Sequence, residues 1–339
     1  MNRRARDIRR RITVGTGWRA IRRRVLTPNV SATSLDVRGF HKKNPAAQEM
    51  LENVGKTFLA GYGYAAEART VEEAAENLET VPTRFRGFAY EGAAMGFTVR
   101  DRLPFGPSGL TAKFLAGPGA PHIYMIYVGI GWAMARLPRF RWPKSATTDP
   151  LLRWLVLDGY GFHQAYFHTA RYVHEQYREP GFPWPAQGPA AYAANAIDQG
   201  IGRAMWFVGG TDAERVASMI DKFPVSRRAD LYSGAGLAAT YAGGADEQEL
   251  RVFADRAGSF RPQVAQGSAF GAEARIRAGL LVPHTEMATR VLCGFSAEKA
   301  AQITQDLRPD KVVDGESPAF EVWRKRIAGE FVSLGGVSQ

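Results

Sequence analysis

The 339-residue chain contains a single cysteine, Cys293. One thiol forms neither an intrachain disulfide nor a cysteine-rich zinc site, a pattern typical of a reducing compartment. We therefore expect Cys293 to be a packing residue and the protein to be cytoplasmic. Long hydrophobic runs are also missing, since the longest, 123–135, has 13 residues, fewer than the roughly 20 that a membrane span needs. No transmembrane helix is predicted.

Histidines are few as well, six in all, and their spacing does not suit a metal. His163 and His168 are five residues apart, which places them about 140° apart on a helix, whereas helical metal pairs prefer a spacing of four. The sequence also has no phosphate-binding loop, no nucleophile elbow and no Ser-His-Asp pattern. We predict no metal and no cofactor, and the pattern leaves open whether the protein is an enzyme.

The excess of positive charge is confined to the N-terminal part of the chain. Residues 1–43 hold 13 Lys and Arg against Asp7 and Asp36, and residues 44–339 hold 31 of each sign. We predict a basic arm over 1–43 and a single domain over 44–339. The arm's arginines alternate with apolar residues and include no apolar core long enough for a signal peptide. An acidic protein or an anionic membrane surface fits such an arm, whereas the neutral body argues against nucleic acid.

A glycine-containing pattern recurs along the chain, and the residues that flank it differ from copy to copy. Successive copies begin on average about 34 residues apart, the length of a helix-turn-helix repeat. Glycine costs a helix up to about 1 kcal/mol relative to alanine, so its recurrence indicates helix backbones that pack closely. The first glycines are Gly61, Gly92, Gly129, Gly159, Gly200, Gly234 and Gly267.

The predicted fold is therefore all-α, a curved solenoid of αα-hairpins. Capping patterns support it, because 70–73, 211–214 and 246–249 each resemble the start of a second helix. The alternative is a dinucleotide-binding fingerprint in which residues 123–128 form a strand before Gly129. A phosphate site has no reason to recur at a fixed period, which favours the solenoid.

Residues 104–189 depart from the repeat and hold eleven of the nineteen prolines together with many aromatic residues. Insertions in a solenoid lie on one face, often the binding face, so this region is a candidate binding region. The alternative is that prolines and aromatics pack a long irregular connection.

Polar residues stand directly before several motif glycines, as Glu91 and Asp158 do, or one position earlier, as Asp198 does. Equivalent positions in a stack face the same way. Glu91, Asp158 and Asp198 could therefore line one surface, with His163 beside them as a further acid/base group. An acid early in a helix also stabilises the helix dipole without any ligand, and this alternative stays open. The candidate catalytic residues are Glu91, Asp158, His163 and Asp198, and the candidate substrate-binding residues are Trp132, Tyr160, Phe162 and Arg203.

Four stretches of the sequence resemble the family catalogued as domain of unknown function 1702, over about residues 30 to 310. They are 85–95, 114–122, 157–163 and 228–234. That family is associated with enediyne biosynthesis, in which an iterative polyketide synthase makes a linear polyene. The resemblance implies a long apolar polyene, free or bound to a carrier, as the substrate class, and it transfers no catalytic residues.

Two function classes follow. One is a cofactor-independent acid/base enzyme that matures or cyclises the polyene, with Asp158 or Glu91 raised in pKa by burial. The other is a non-catalytic protein that binds and shields the polyene or docks on the synthase. The basic arm would meet an acidic carrier protein, other biosynthetic proteins or a membrane surface.

Overall fold

A computed structural model describes residues 17, 19, 22–24, 26–104, 106, 108–143, 149–183 and 188–337. Within these ranges the regular elements are helical and no residue lies in a strand, which confirms the all-α class. Residues 123–128 belong to a helix, so the nucleotide-binding alternative is wrong. The helices are α1 (Pro45–Glu67), α2 (Val71–Glu79), α3 (Thr83–Asp101), α4 (Leu110–Ala116), α5 (Ile123–Arg136), α6 (Trp154–Phe167), α7 (Ala193–Val208), α8 (Ala213–Ile220), α9 (Val225–Ala242), α10 (Glu247–Ala257), α11 (Arg261–Arg277), α12 (Pro283–Leu292), α13 (Ala297–Asp306) and α14 (Ala319–Ser333).

The glycine-bearing helices pack side by side in chain order, as α1, α3, α5, α6, α7, α9 and α11. From the second copy onward, the first glycine of a copy faces the glycine helix before it. A Cβ at Gly200 would collide with the carbonyl oxygen of Asp158, and one at Gly234 with that of Gln199. In each case the carbonyl belongs to the residue that precedes the previous copy's first glycine, and the same holds for Gly129, Gly159 and Gly267.

From the copy at Gly129 onward, a second glycine, where present, faces the glycine helix that follows. A Cβ at Gly131 would collide with the carbonyl oxygen of Val156, and one at Gly202 with that of Leu231. Such close approach brings backbone dipoles and Cα–H groups of neighbouring helices into contact. The predicted reason for the glycines is therefore correct: the helices pack at a separation that a side chain would prevent.

Shorter helices form an outer layer, in which α8 contacts α10 and α10 contacts α12. Side chains cap their N-termini as the sequence indicates. Thr70, Asp212 and Asp246 each accept a hydrogen bond from a backbone N–H three residues later. Asp246 and Glu249 complete a reciprocal capping box, which satisfies two backbone donors at once.

The proline-rich middle is more irregular. The spacing argument for His163 and His168 assumes that both lie on one helix, but α6 ends at Phe167 and a π-helical turn, Ala170–His174, follows. His168 is the C-terminal cap of α6 and not part of its body. His163 and His168 therefore lie in different local structures.

Contacts across the interior show that the row of helices curls on itself. Phe88 of α3 stacks edge-on against Tyr241 of α9, with ring centres 5.2 Å apart. Arg275 of α11 donates a hydrogen bond to the carbonyl of Arg84, at 3.0 Å. The inner faces of the first six glycine helices consequently surround a common space. In the described ranges no helix has the length and apolar character needed to cross a bilayer.

Part of the basic N-terminal segment contacts the helical body. Arg22 donates to the carbonyls at the C-terminal end of α1, including that of Glu67 at 2.9 Å. Arg19 pairs with Glu73 and Arg23 with Glu67. Cations at a helix C-terminus are favourable because unpaired carbonyls carry negative partial charge. These arginines thus belong to the folded structure, while residues 1–16 lie outside the described ranges.

Candidate functional site

A mostly apolar cavity lies inside the curl of α1, α3, α5, α6, α7 and α9. Each helix presents aromatic side chains to it from the turn next to its close-packed glycines. These aromatic residues are Phe58, Phe88, Trp132, Phe162, Tyr166, Phe167, Phe207 and Tyr241.

The cavity is narrow. It encloses about 810 Å³ of space between atoms, including its mouth, of which about 60 Å³ admits the centre of a water molecule. One water needs about 10–15 Å³ by that measure. In this conformation the space fits a few waters or a slender group, and a bulkier ligand requires the walls to move.

Glu91 of α3 is the carboxyl group in the cavity wall. It is buried, and none of the described residues forms an ion pair with it. Burial raises the pKa of Glu91 to about 8, because a low-dielectric surrounding disfavours the carboxylate. The positive charge of Arg203 opposes this effect, and the charge of Asp158 adds to it. At neutral pH Glu91 is therefore mainly a protonated carboxylic acid.

Asp158 and Arg203 form a buried ion pair behind Glu91. Arg203 lines the cavity and stacks on Phe162, with its guanidinium carbon 5.3 Å from the ring centre. Burial lowers the pKa of Arg203, but the neighbouring charges of Asp158 and Glu91 outweigh it and the net shift is upward. Burial raises the pKa of Asp158 as well, but the charge and the hydrogen bond of Arg203 oppose that rise. In this close contact Arg203 is the cation and Asp158 its carboxylate partner. Glu91 has no such partner among the described residues and is the neutral member of the three.

Trp132, Phe162 and His163 form one side of the cavity. The Trp132 ring lies 5.2 Å from Phe162 and 5.4 Å from His163, in the latter case edge to face. Burial lowers the pKa of His163 to about 3, so this histidine is neutral at physiological pH. A neutral imidazole could accept or donate a proton beside the apolar wall.

Several buried polar atoms around Glu91 have no hydrogen-bond partner within the described part of the chain. They are the indole nitrogen of Trp132, the hydroxyl of Tyr241, Oδ2 of Asp158 and Nε of Arg203. The Trp132 indole lowers the pKa of Glu91 without reaching the geometry of a hydrogen bond. Buried polar groups are normally paired, so these four atoms are the ones around Glu91 with which a water or a polar ligand could form hydrogen bonds.

A family model described as "Protein of unknown function (DUF1702)" matches residues 17–331. The chain belongs to this family. No curated protein and no solved structure matches it. Helices α1 to α13 and nearly all of α14 fall within the matched region of this DUF1702 protein, so the cavity and its polar cluster are part of the family domain. The family description assigns no activity, and the enediyne association is not part of it.

The structure brings five of the eight predicted site residues to this cavity and places the others elsewhere. Asp158 lies behind Arg203 and does not line the space. Asp198 pairs with Arg227 through two hydrogen bonds, at 2.6 and 2.9 Å, on the side of α7 that faces away from the cavity. Those at the cavity are Glu91, Trp132, Phe162, His163 and Arg203.

Tyr160 also points away from the cavity. Its ring packs against Trp142 and Phe182, and its hydroxyl accepts a hydrogen bond from Gln164. On α6 it is two residues from Phe162, about 200° around the helix, so the two side chains occupy opposite faces. Tyr160 and Phe162 were predicted to act together because they are close in sequence, but the helix directs their side chains to different surroundings.

The polar residues before the motif glycines do form a row, but not along an open surface. Their side chains are buried between neighbouring helices. Ser233 donates to Gln266 at 2.7 Å, and Gln266 accepts from Arg324 at 3.2 Å. We name this row, which consists of Glu91, Asp158, Gln199, Ser233 and Gln266 with the arginines Arg203 and Arg324, the polar row. Glu91 is the acid of this row that reaches the cavity.

Sequence reasoning missed most of the aromatic wall, including Phe58, Tyr166 and Phe207, and two further features are instructive. Tyr241 sits one helical turn from the glycines of α9 with no distinguishing neighbour in sequence, and only the curl of the helices brings it to α3. The other missed part is the segment 28–33, whose Pro28, Ala32 and Thr33 line the cavity. The sequence assigned this segment to the arm.

We call residues 28–33 the cover segment. The hydrogen bonds found for it all join residues between 29 and 34. It rests on α1 through Thr33, whose Cβ would lie 2.7 Å from a Cβ added at Gly55. In the described structure the cover segment is therefore held to the helices by packing.

Proposed function

We propose that the cavity binds a slender, apolar, conjugated chain and that Glu91 transfers a proton to it. One observation carries the proposal: a buried carboxylic acid, with no ion-pair partner among the described residues, faces a space walled by aromatic rings. A binding surface for an apolar chain needs only the rings, whereas an acid kept neutral at pH 7 is suited to donating a proton.

The chemistry balances without an oxidant or a cofactor. The Glu91 carboxyl gives its proton to one carbon of a C=C bond, so a C–H bond forms and the chain becomes a delocalised cation. Aromatic faces such as those of Trp132 and Phe162 stabilise that cation. Loss of a proton from another carbon, to the Glu91 carboxylate, restores the neutral chain with its double bonds moved, or closed into a ring if a C–C bond forms first.

The Asp158–Arg203 pair supports this step. When Glu91 gives up its proton, the Arg203 guanidinium stabilises the resulting carboxylate through space, because its charge already lowers the pKa of Glu91. Asp158 keeps Arg203 in position through their hydrogen bond.

The experiment is proton exchange. A synthetic linear conjugated polyene is incubated in D₂O with the wild-type protein, Glu91→Gln and Glu273→Gln, and carbon-bound deuterium is measured by mass spectrometry. Glu273 is the matched control, since burial raises its pKa to about 7 and it lies outside the cavity. We expect deuterium with wild type and Glu273→Gln, and none above background with Glu91→Gln. Equal incorporation in all three would refute the role of Glu91.

A second candidate is a non-catalytic protein that binds and shields the chain. The narrowness of the cavity favours it, since tightly apposed aromatic walls exclude water from a reactive chain. Binding of the polyene without any deuterium incorporation by the wild type would support this candidate over the first.

We further propose a setting for either function. The family resemblance suggests a linear polyketide polyene in a cytoplasmic, enediyne-type pathway, and an acidic carrier protein as partner of the basic arm. Deleting residues 1–16 removes six arginines but keeps Arg19, Arg22 and Arg23 on the body. We expect this deletion to leave the melting temperature unchanged and to weaken carrier binding in a salt-dependent way. Unchanged carrier binding, or binding to anionic vesicles instead, would contradict the partner.

We also propose that the helices form a repeat architecture. The glycine contacts between successive helices recur at equivalent positions, which supports a solenoid of αα-hairpins with a period of about 34 residues. In such a stack the inner helices form the wall of the binding site and the outer helices stabilise it.

A further inference from the structure

The mouth of the cavity carries an arginine that no described residue neutralises. Arg136 is the last residue of α5 and is exposed while lining the cavity. No carboxylate of the described ranges lies within ion-pair distance of it. Stabilising the C-terminal dipole of α5 would explain an arginine that faces solvent, but it does not explain one that borders an apolar cavity.

A second unpaired guanidinium lies nearby. Arg38 stacks on Phe167, with its guanidinium carbon 5.1 Å from the ring centre, and Phe167 is a wall residue of the cavity. The buried Nε of Arg38 has no hydrogen-bond partner among the described residues. Phe167 lies one turn after His163 on α6, and the His163 ring is 4.6 Å from it.

Arg136 lines the cavity itself, whereas Arg38 reaches the cavity wall through Phe167. His163 connects them, since it packs on Phe167 under Arg38 and its pKa is lowered by the charge of Arg136 in addition to burial. The acids of the neighbouring elements already have partners. Asp36 pairs with Lys42, and Glu52 accepts from the backbone N–H of Leu35 and pairs with Lys56.

The interior of the cavity, unlike its mouth, has no net charge. Arg203 is neutralised by Asp158, and Glu91 is protonated at neutral pH. The cavity is therefore neutral at its inner end and positive at its mouth. An apolar chain without a charged end would leave both mouth arginines unpaired.

We propose that the ligand is amphipathic, with an anionic end group held at the mouth by Arg136 and Arg38 and an apolar chain that extends inward to Glu91. This inference rests on the proposed function and names its substrate class. The anion is a carboxylate or a phosphate, because both accept hydrogen bonds from guanidinium groups in the same geometry. A free chain acid has the first, and a chain on a phosphate-bearing carrier arm has the second.

The test uses cis-parinaric acid, a conjugated fluorescent chain with a carboxylate end, and its methyl ester. We expect the wild type to bind the acid about tenfold more tightly than the ester, which is the gain of one charge-assisted contact. Arg136→Gln should reduce this preference to about twofold or less, and Arg136→Glu should abolish or reverse it. Arg290→Gln, a change of an exposed arginine on α12, is the matched control and should keep the wild-type preference.

Competition then identifies the anion. Hexadecanoic acid, hexadecyl phosphate and hexadecanol are compared as displacers of the probe from wild type and Arg136→Gln. Stronger displacement by either anion than by the alcohol, lost in the variant, supports the proposal and shows which anion is preferred. Equal binding of acid and ester by the wild type would overturn the anionic end group while leaving the apolar site intact. Binding of neither probe would overturn the apolar site itself.

Discussion

The two ends of the polar row differ in how completely their charges are paired. At one end Arg324 is fully buried and donates to Asp230 at 2.8 Å, Glu321 at 3.0 Å and Tyr192 at 2.8 Å. At the other end Glu91 has no ion-pair partner in the described structure, and the atoms around it include several without hydrogen bonds. Both ends are buried between helices that pack through glycine.

The difference separates a structural cluster from a candidate functional one. A buried charge stabilises a fold only when its partners are complete, and the Arg324 cluster meets that condition while it joins α14 to α9 and α7. The Glu91 end does not, and it opens to the cavity. Incomplete pairing beside an aromatic cavity is thus the feature that distinguishes the site from an equally buried network.

Removing Arg324, the cation at the fully paired end of the polar row, should have the largest effect on stability. Arg324→Met leaves Asp230, Glu321 and Tyr192 without their common partner, and we expect it to lower the free energy of unfolding by about 3–5 kcal/mol. Arg326→Met, on the exposed face of the same helix, is the control and should change stability by less than about 0.5 kcal/mol. Urea unfolding measures both, and a loss of similar size in the two variants would contradict the comparison.

Adding one methyl group between helices should be next in size. At Gly200 a Cβ collides with the backbone carbonyl of Asp158, which cannot move without shifting α6, so we expect Gly200→Ala to cost about 3 kcal/mol. Gly329→Ala, in the exposed middle of α14 with nothing near its Cα, should instead stabilise the protein by about 0.5–1 kcal/mol. Thermal unfolding checks the opposite signs, and two changes of the same sign would sink the close-packing account.

Glu91, at the end of the polar row where charges are not fully paired, should make the free energy of unfolding depend on pH. Because the pKa of Glu91 is raised to about 8 in the folded protein, the folded state holds a proton that the unfolded state loses above about pH 4.5. The wild type should therefore lose stability relative to Glu91→Gln as pH rises, by about 2 kcal/mol between pH 6 and pH 8. Denaturant titrations at a series of pH values measure this difference. Parallel curves for the two proteins would show that Glu91 is not protonated in the folded state.

Displacing the cover segment should have the smallest effect on stability. Gly55→Ala pushes against Thr33, a side chain on a segment held by packing, so we expect less than about 1 kcal/mol. Ligand association, measured by stopped-flow fluorescence with cis-parinaric acid, should become severalfold faster because the mouth opens more often. In a Thr33→Gly background the colliding side-chain atoms are absent, so the further change Gly55→Ala should leave the association rate nearly unaltered. An equally large acceleration in that background would contradict the cover.

The sequence by itself determined the helical class, the close packing of helices at the recurring glycines and the caps of α2, α8 and α10. Each depends on local features: period, absence of a Cβ, and a side-chain acceptor three residues before a backbone donor. The motif also places Glu91, Trp132, Phe162, His163 and Arg203 within or beside its copies, and the structure brings these five residues to one cavity.

Only the tertiary structure decided which of those polar residues is paired. Asp158 and Asp198 carry the same carboxylate as Glu91 in similar sequence contexts, yet arginines from other helices reach the first two and not the third. The same curl of the helices brings Tyr241 to α3, turns Tyr160 away from Phe162 and places Thr33 over Gly55. The ion-pair partners, the exposure and the pKa of a side chain depend on which residues from distant parts of the sequence lie next to it. Those neighbours are set only when the row of helices curls on itself.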